Sequence, residues 1–193
     1  MNYSGYLFVA LALFFTACGG GTSSEEEQVK KEKDALVTRI DSLENVLFSQ
    51  EENVDKQVAA QLLQSYIKFT DTYPADEHSA DFLYKGAGIA RGVGVHSRAL
   101  KMYRRILEEY PEYPKQAETQ FLIAFTFDND LKEIDRAKEE YNKVIETYPE
   151  HEFADQAKER LKTIDMSDEE LIEMFMKKNQ QNADSAEAAA AVQ

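Results

Sequence analysis

The 193-residue sequence lacks tryptophan and contains one cysteine, Cys18, and four prolines, the first of them Pro74. One cysteine cannot form a disulfide within the chain, and three dispersed histidines make a poor metal site. The long proline-free stretch before Pro74 leaves helices uninterrupted. Basic residues are also scarce, because 22 Lys and Arg face 36 Asp and Glu and the formal net charge is −14. Since nucleic acid and anionic membrane surfaces would repel this charge, we expect no nucleic-acid partner.

Two residue patterns suggest a binding site for a small ligand, and both fail. The glycines between positions 86 and 94 do not have the G-x-G-x-x-G spacing, and no Gly-Lys-Ser/Thr follows them. Asp128, Asp130 and Glu133 resemble part of a calcium loop, but Lys132 occupies a ligand position and the required glycine is missing. No nucleophile–base spacing is present either. The sequence therefore predicts no catalytic, cofactor-binding or metal-binding residues, and it favours a non-enzymatic protein.

A short apolar segment, residues 7–15, lies near the N-terminus. Nine residues are too few to cross about 30 Å of hydrocarbon, but they fit the central region of a secretory signal peptide. The following Thr16-Ala17-Cys18 resembles the lipobox of bacterial lipoproteins, with Phe15 in place of the usual leucine. That resemblance implies a signal peptide over residues 1–17, a palmitate-type acyl anchor on Cys18, and a flexible linker over residues 18–24. The alternative is a short hydrophobic N-terminus with an incidental buried cysteine.

The residues after Cys18 bear on localisation. In lipoprotein sorting of the proteobacterial type, an Asp after the lipidated cysteine retains the protein in the inner membrane, and this chain has Gly19 there. The resemblance therefore implies a lipid anchor in the outer membrane, facing the periplasm. The acidic run at residues 25–27 also resembles surface-export tags of some Bacteroidetes lipoproteins, which leaves cell-surface exposure as an alternative. A solvated first helical turn explains the run equally well, because acids stabilise a helix N-terminus.

Residues 25–52 are predicted to form a long amphipathic helix. Its apolar seam has the 4-3-4-3-4 spacing of a coiled coil over about three heptads, with one polar member. The seam consists of Val29, Lys33, Leu36, Ile40, Leu43 and Leu47. Two interpretations remain open. The seam pairs with other copies through residues 25–50 to form a homo-oligomer, or it packs along the following helices of its own chain.

A four-residue set with spacing 4, 3, 4 occurs three times, and each set ends in Tyr-Pro. The spacing places its members on one face of a helix. A proline disfavours helix at the residue before it, so each tyrosine is expected to end a helix. A period near 37 residues indicates an array of helical hairpins. The sets are Leu62, Tyr66, Phe69, Tyr73 and Pro74; Ala99, Tyr103, Ile106, Tyr110 and Pro111; and Ala137, Tyr141, Val144, Tyr148 and Pro149.

The recurring sets resemble the tetratricopeptide repeat. Ala99 and Ala137 match its small residue, Tyr103 and Tyr141 its aromatic residue, and the prolines after Tyr110 and Tyr148 its closing proline. Leu62 replaces the small residue in the first unit, and the Trp-x-x-Leu-Gly-x-x-Tyr half of the pattern is mostly absent. The resemblance implies an all-α, tetratricopeptide-type helical-hairpin solenoid over residues 53–165. The spacing predicts helices over 80–89, 97–110, 116–127 and 134–148, and one more through Ala154 and Leu161.

Repeats that end in Tyr-Pro on a lipoprotein resemble two envelope families, the BamD-like outer-membrane assembly lipoproteins and the YbgF-like Tol-Pal-associated proteins. The first implies a protein–protein interaction scaffold in outer-membrane protein assembly. The second implies a coiled-coil oligomeric periplasmic protein of the Tol-Pal and cell-division type. In both, envelope proteins would bind through the repeat surface. Polar residues on the first helix of each hairpin are candidate contacts: Lys85, Arg91 and Gln120.

The C-terminal region begins with Ser167 and Glu170, which have capping-box spacing. The sequence predicts a helix over residues 166–178 and a disordered polar, alanine-rich tail over residues 179–193. The apolar residues between 171 and 176 allow two interpretations. Either they pack on the preceding hairpin, or they form an exposed face that binds a partner.

Overall fold

The structure is a computed structural model that describes residues 22–49 and 55–190. These residues form α-helices and one π-helical turn without any strand, which confirms the predicted all-α class. The predicted signal peptide and Cys18 lie outside the described residues. The elements are α1 Thr22–Phe48, α2 Lys56–Thr72, α3 Ser79–Gly92, α4 His96–Glu109, α5 Gln116–Phe125, the π-turn Thr126–Asp130, α6 Ile134–Thr147, α7 Glu152–Thr163 and α8 Asp168–Ala190.

The helices form consecutive hairpins, and each Tyr-Pro pair lies where a hairpin ends. Tyr73, Tyr110 and Tyr148 cap α2, α4 and α6, and each donates its backbone N–H to the carbonyl oxygen four residues earlier at 2.8–3.0 Å. The Tyr110 hydroxyl also donates to the carbonyl oxygen of Pro74 at 2.9 Å, which links one turn to the previous one. The hairpins are therefore α1/α2, α3/α4 and α5/α6, with α7 beginning the next unit. This arrangement confirms the predicted solenoid.

The recurring residue sets lie at equivalent places in the three hairpins. The first three members of each set are buried, the tyrosine is half-buried, and the proline is exposed. The buried members belong to two apolar clusters. One joins α1 and α2 to Phe82 of α3, and the other runs from Leu63 through α3 to α7 and ends at Ile164. Ile89 and Val93 contact both clusters, so the core is continuous along the array.

The seam of α1 packs within the chain. Ile40 and Leu47 are buried, and Leu36 and Leu43 pack against the α2 cluster, whereas Val29 is 53% exposed. Lys33 donates to Asp76 at 2.5 Å across the turn after α2. The structure thus adopts the second of the two interpretations of the seam.

The boundaries of α1 differ from those predicted. The helix begins at Thr22, so the last three residues of the predicted linker 18–24 are helical. The physical reason is that the glutamates at positions 25–27 stabilise the N-terminal end of a helix. The helix ends at Phe48 rather than near residue 52. Residues 50–54 lie outside the described residues.

The third hairpin is one residue longer than the second. Tyr73 and Tyr110 are 37 residues apart, whereas Tyr110 and Tyr148 are 38 apart. The difference lies between the starts of the two helices of each hairpin, because α4 starts 17 residues after α3 and α6 starts 18 residues after α5. The π-turn lies in that interval, and its Leu131 N–H donates to the Thr126 carbonyl oxygen five residues earlier at 3.0 Å. The wider π-turn accommodates the extra residue.

The C-terminal helix α8 is longer than predicted. The prediction of a disordered tail over residues 179–193 is wrong as far as Ala190, because the helix continues to that residue instead of ending near 178. Alanine, glutamine and glutamate are strong helix formers, so the helix continues without a core to pack on. The capping box is confirmed: the Ser167 N–H donates to Glu170 at 2.8 Å, and the Glu170 N–H donates to Ser167 Oγ at 3.2 Å.

The apolar residues of α8 are largely exposed. Ile172, Phe175 and Met176 are 58%, 55% and 63% exposed, which contradicts the interpretation that they pack on the preceding hairpin. Among the described residues, neither apolar cluster includes a side chain of α8. Within residues 22–49 and 55–190, no helix has the length and apolarity needed to cross a bilayer.

Candidate partner-binding face

Half-buried aromatic side chains line the first helices of the hairpins. We call this set the aromatic face. Its members come from α3, α5 and α7 and from the turn before α5, where each ring packs on the hairpins and leaves part of its surface in solvent. Aromatic residues are enriched at the centres of protein–protein interfaces. The members are Tyr84, Tyr113, Phe121, Phe125 and Phe153.

Ring contacts join the helices that carry the aromatic face. The Phe121 ring of α5 lies 5.1 Å from Phe153 of α7 and 6.4 Å from Phe125, measured between centroids. The Tyr84 ring of α3 lies 6.1 Å from Tyr113. Tyr84 also donates its hydroxyl hydrogen to Glu118 of α5 at 2.5 Å. The rings therefore form two contacting groups, one on α3 and the turn before α5 and one on α5 and α7. The hydrogen bond from Tyr84 to Glu118 joins the helices that carry them.

Two cations stack on rings of the aromatic face. The Lys115 ammonium lies 4.3 Å from the Tyr84 centroid, and the Arg91 guanidinium lies 4.7 Å from the Phe125 centroid. Arg91 also donates to Asp130 at 2.6 Å. Each cation is attracted to the negative face of its ring, so it restricts the ring's motion and adds a polar edge to the surface.

The two tyrosines of the face remain neutral at physiological pH. Burial, followed by the hydrogen bond to Glu118, raises the pKa of the Tyr84 hydroxyl well above its ordinary value. Burial and the hydrogen bond from Tyr113 to Asp81, at 2.7 Å, raise the pKa of Tyr113 in the same way. Both hydroxyls are thus occupied within the chain, and the rings are the parts that a partner can contact.

An apolar cleft of about 480 Å³ opens between the end of α1 and α3. We call it the glycine cleft. Apart from the backbone of α3 and the neighbouring residues in the chain, no atom lies within 4 Å of the position that a Cβ would take at Gly88 or Gly92, so the α3 side of the cleft is open. Lys85, which is 47% exposed, forms an ion pair with Glu44 of α1 at 2.9 Å on its rim. The lining residues are Leu47, Phe48, Lys85, Gly88, Ile89, Gly92 and Val93.

The three polar residues predicted to contact a partner all have partners within the chain. Lys85 pairs with Glu44 of α1, and Arg91 pairs with Asp130 and stacks on Phe125. Gln120 is only 9% exposed and donates to Glu140 at 2.7 Å. Gln120 is therefore not a surface contact. All three side chains lie between helices, where they connect neighbouring elements.

The sequence predicts no structural role for Asp128, a buried carboxylate of the π-turn. Asp128 is 4% exposed and accepts two hydrogen bonds from Arg160 of α7, at 2.6 and 2.8 Å, and one from the Tyr141 hydroxyl at 3.2 Å. Burial opposes ionisation, but the bonds and charge of Arg160 outweigh it and lower the pKa of Asp128. Asp128 and Arg160 are 32 residues apart, so no local spacing links them. Their arrangement indicates a structural connection between the π-turn and α7.

Within the described residues, no group of three or more His, Cys, Asp or Glu side chains is arranged to hold a metal ion. A comparison with protein families matches the tetratricopeptide repeat at residues 118–151. The matched segment covers most of α5, the π-turn, α6 and the turn after it. A search of curated proteins gives no match. Tetratricopeptide repeats commonly mediate protein–protein interactions, and proteins of this type are generally non-enzymatic scaffolds.

Proposed function

We propose that this protein is a lipid-anchored scaffold of the bacterial cell envelope that binds a segment of a partner protein along the aromatic face. The observation that carries the proposal is the set of half-buried rings on α3, α5 and α7 and on the turn before α5, which form two contacting groups. Stacked helical hairpins present an extended surface that suits an elongated ligand. The rings are already held by stacking cations and hydrogen bonds, so binding would require little further ordering.

The anchor belongs to the same proposal. Cys18, in its lipobox-like context, would carry the acyl chains and attach the protein to the outer membrane, facing the periplasm. Each buried CH₂ of an acyl chain contributes about 0.8 kcal/mol, so two or three chains give stable attachment. Cell-surface exposure is the alternative orientation.

The pathway that we favour is outer-membrane protein assembly of the BamD-like type. Its alternative is a role of the YbgF-like Tol-Pal type, which requires an N-terminal coiled coil between copies. The buried side chains of Ile40 and Leu47 support the first, because α1 uses these seam residues within its own chain.

The test of the face combines cross-linking in membranes with mass spectrometry. The double substitution Phe125→Ala with Phe153→Ala removes two rings of the face, and Val46→Ala on α1 serves as the control for loss of an exposed apolar side chain. We expect the parent and control to recover barrel-assembly components and the double variant to lose them. Recovery of Tol-Pal components would select the alternative pathway. Equal recovery by all three proteins would refute the aromatic face as the binding site.

The anchor is tested separately. Cys18→Ser should abolish labelling by an acyl-chain probe and release the protein from membranes. If the parent carried no acyl label and the variant stayed with the membranes, the anchor would be wrong.

A further inference from the structure

A groove of about 450 Å³ lies where two consecutive Tyr-Pro turns adjoin. We call it the turn groove. One wall comes from the turn between α2 and α3, and the other comes from the turn between α4 and α5. Its volume falls within the range of about 300–1,000 Å³ that is typical of ligand-binding clefts. The groove is therefore large enough to hold side chains of another molecule.

The apolar part of the turn groove is held in place by the chain itself. Three prolines and two half-buried tyrosines, Tyr110 and Tyr113, line it. The Tyr110 hydroxyl donates to the carbonyl oxygen of Pro74 at 2.9 Å, and the Tyr113 hydroxyl donates to Asp81 at 2.7 Å. These bonds occupy both hydroxyl hydrogens and leave ring surface toward the groove. Because the prolines also restrict the backbone, binding a ligand here requires little further ordering.

Every charged side chain that lines the turn groove is a carboxylate. Glu77 of the first turn and Glu112 of the second are exposed, and neither forms an ion pair within the part of the chain that the structure describes. The nearby cation Lys115 stacks on a ring of the aromatic face instead. Two uncompensated negative charges on opposite walls therefore attract a cation to the groove.

The other two carboxylates of the turn groove are already paired. The Lys33 ammonium bonds to Asp76 at 2.5 Å. The Arg105 guanidinium is shared between Glu109 at 2.9 Å and Asp71, outside the groove, at 2.8 Å. Since both cations are engaged by these carboxylates, the two exposed glutamates keep their charge available for a ligand.

We propose that the turn groove binds an arginine-containing basic segment of a partner protein. A guanidinium is planar, so it can stack on an accessible tyrosine ring while its N–H groups bond to a carboxylate. A lysine ammonium binds a carboxylate as a point charge and lacks the flat surface that stacks. The turn groove offers both the rings and the unpaired carboxylates. The inference goes beyond the proposed function and does not depend on it, although Tyr113 also belongs to the aromatic face.

The test measures the affinity of a peptide for the full chain, purified in detergent, by fluorescence anisotropy. The salt concentration is about 150 mM, which screens attraction at long range. The probe is the peptide Ala-Arg-Ala-Arg-Ala with an uncharged BODIPY label, because alternate residues of an extended segment point to the same side. Matched peptides carry lysine, or citrulline as the uncharged isostere, in place of arginine. We expect the arginine peptide to bind the parent about threefold more tightly than the lysine peptide and about tenfold more tightly than the citrulline peptide.

Three variants locate the bound peptide, and circular dichroism melts verify that each is folded. Glu77→Gln with Glu112→Gln removes both unpaired charges and should weaken the arginine peptide about tenfold. The matched control is Glu139→Gln with Glu146→Gln on α6, which changes the net charge equally at exposed positions outside the groove and should leave the affinity unchanged. Ala75→Phe keeps every charge but fills the groove from an exposed position of its lining, so it should weaken the arginine peptide as well.

Several results would contradict the inference. A parent that did not bind the arginine peptide would overturn it. Equal weakening by the groove variant and the α6 control, or equal affinity for the arginine and lysine peptides, would show attraction by the net charge of −14 without recognition. Undiminished binding by Ala75→Phe would show that the groove is not the site. No substitution alters a residue of the aromatic face, so each outcome leaves the test of that face unaffected.

Discussion

Replacing Arg160 by methionine tests whether the connection between α7 and the π-turn stabilises the end of the array. Arg160 donates two hydrogen bonds to Asp128, and the Tyr141 hydroxyl donates a third. The Asp128 side chain is 5% exposed, and that of Arg160 is 36% exposed. Methionine retains most of the aliphatic volume of arginine, so the change mainly removes the cation from a buried carboxylate.

The expected loss follows from burial. Removing one partner of a buried ion pair costs about 3–5 kcal/mol, because the remaining charge is left without compensation. A third of the Arg160 side chain contacts solvent, so water can partly replace it, and we expect about 3 kcal/mol. In a domain of this size, 1 kcal/mol corresponds to roughly 2–4 °C in Tm, so the Tm should fall by about 6–12 °C.

The assay is thermal unfolding followed by circular dichroism at pH 7 and at lower pH. The pKa of Asp128 is lowered in the folded state, so the pair's contribution is present above the unfolded pKa of about 3.9 and is lost as the pH falls toward the folded value. The Tm difference between parent and variant should therefore shrink below about pH 4.

A double-mutant cycle provides the control. Combining Asp128→Asn with Arg160→Met removes both charges, so the double variant should be more stable than the sum of the single losses implies. A Tm change under about 2 °C for Arg160→Met at pH 7 would refute the reasoning. Additivity within about 0.5 kcal/mol would refute it as well.

Three further predictions concern the hairpins and their ends. Tyr103→Ala removes a ring that is 1% exposed and should lower the free energy of unfolding in urea by about 3–5 kcal/mol. Lys101→Ala, on the exposed side of α4, should change that free energy by under about 0.5 kcal/mol. Equally small effects of the two substitutions would contradict the register of the repeats. Burial favours the neutral form of the Asp76 carboxyl, but hydrogen bonds from Lys33 and His78 lower its pKa to about 2. Asp76→Asn should therefore lower the Tm at pH 7, and this difference in Tm should disappear between about pH 4 and pH 2. A difference in Tm that did not depend on pH would count against the ion pair between Lys33 and Asp76. Ser167→Ala removes the capping-box acceptor at the start of α8 and should lower the stability of the first turn of the helix by about 1 kcal/mol, seen as faster hydrogen exchange at the Glu170 amide. Ser167→Asp keeps an acceptor and should retain the protection of that amide. Equal exchange in Ser167→Ala and the parent would show that the capping box does not stabilise α8.

The hairpins were predictable because their signal is local and repeated. The 4-3-4 spacing that ends at Tyr110 and at Tyr148 defines a buried helix face and its last residue within the same dozen positions. The predicted helix 134–148 ends one residue beyond α6, and the predicted helix 97–110 differs from α4 by one residue at each end. Glycine at position 94, with a φ of +81°, forms the break after α3, where other residues are strained.

The candidate site was less predictable, because it depends on contacts between elements. Phe121 and Phe125 have the i, i+4 spacing of any buried helix face, and that spacing does not indicate that both remain half exposed in the structure. The pairing of Asp128 with Arg160 joins residues 32 positions apart, and no spacing rule reaches that far. The sequence predicts a disordered tail at the polar and alanine-rich end of α8 because this end contains no core residues. Helix propensity alone suffices to continue a helix that has already been nucleated.

The π-turn makes the length of a unit independent of the surface that the unit presents. Tyr110 and Tyr148 keep the same relation to their helices as Tyr73 does, although the third hairpin contains one more residue. The extra residue is confined to one place on the backbone, between the two helices of the third hairpin. The additional residue therefore leaves Tyr148 14 residues after the start of α6, the same separation as that of Tyr110 from the start of α4.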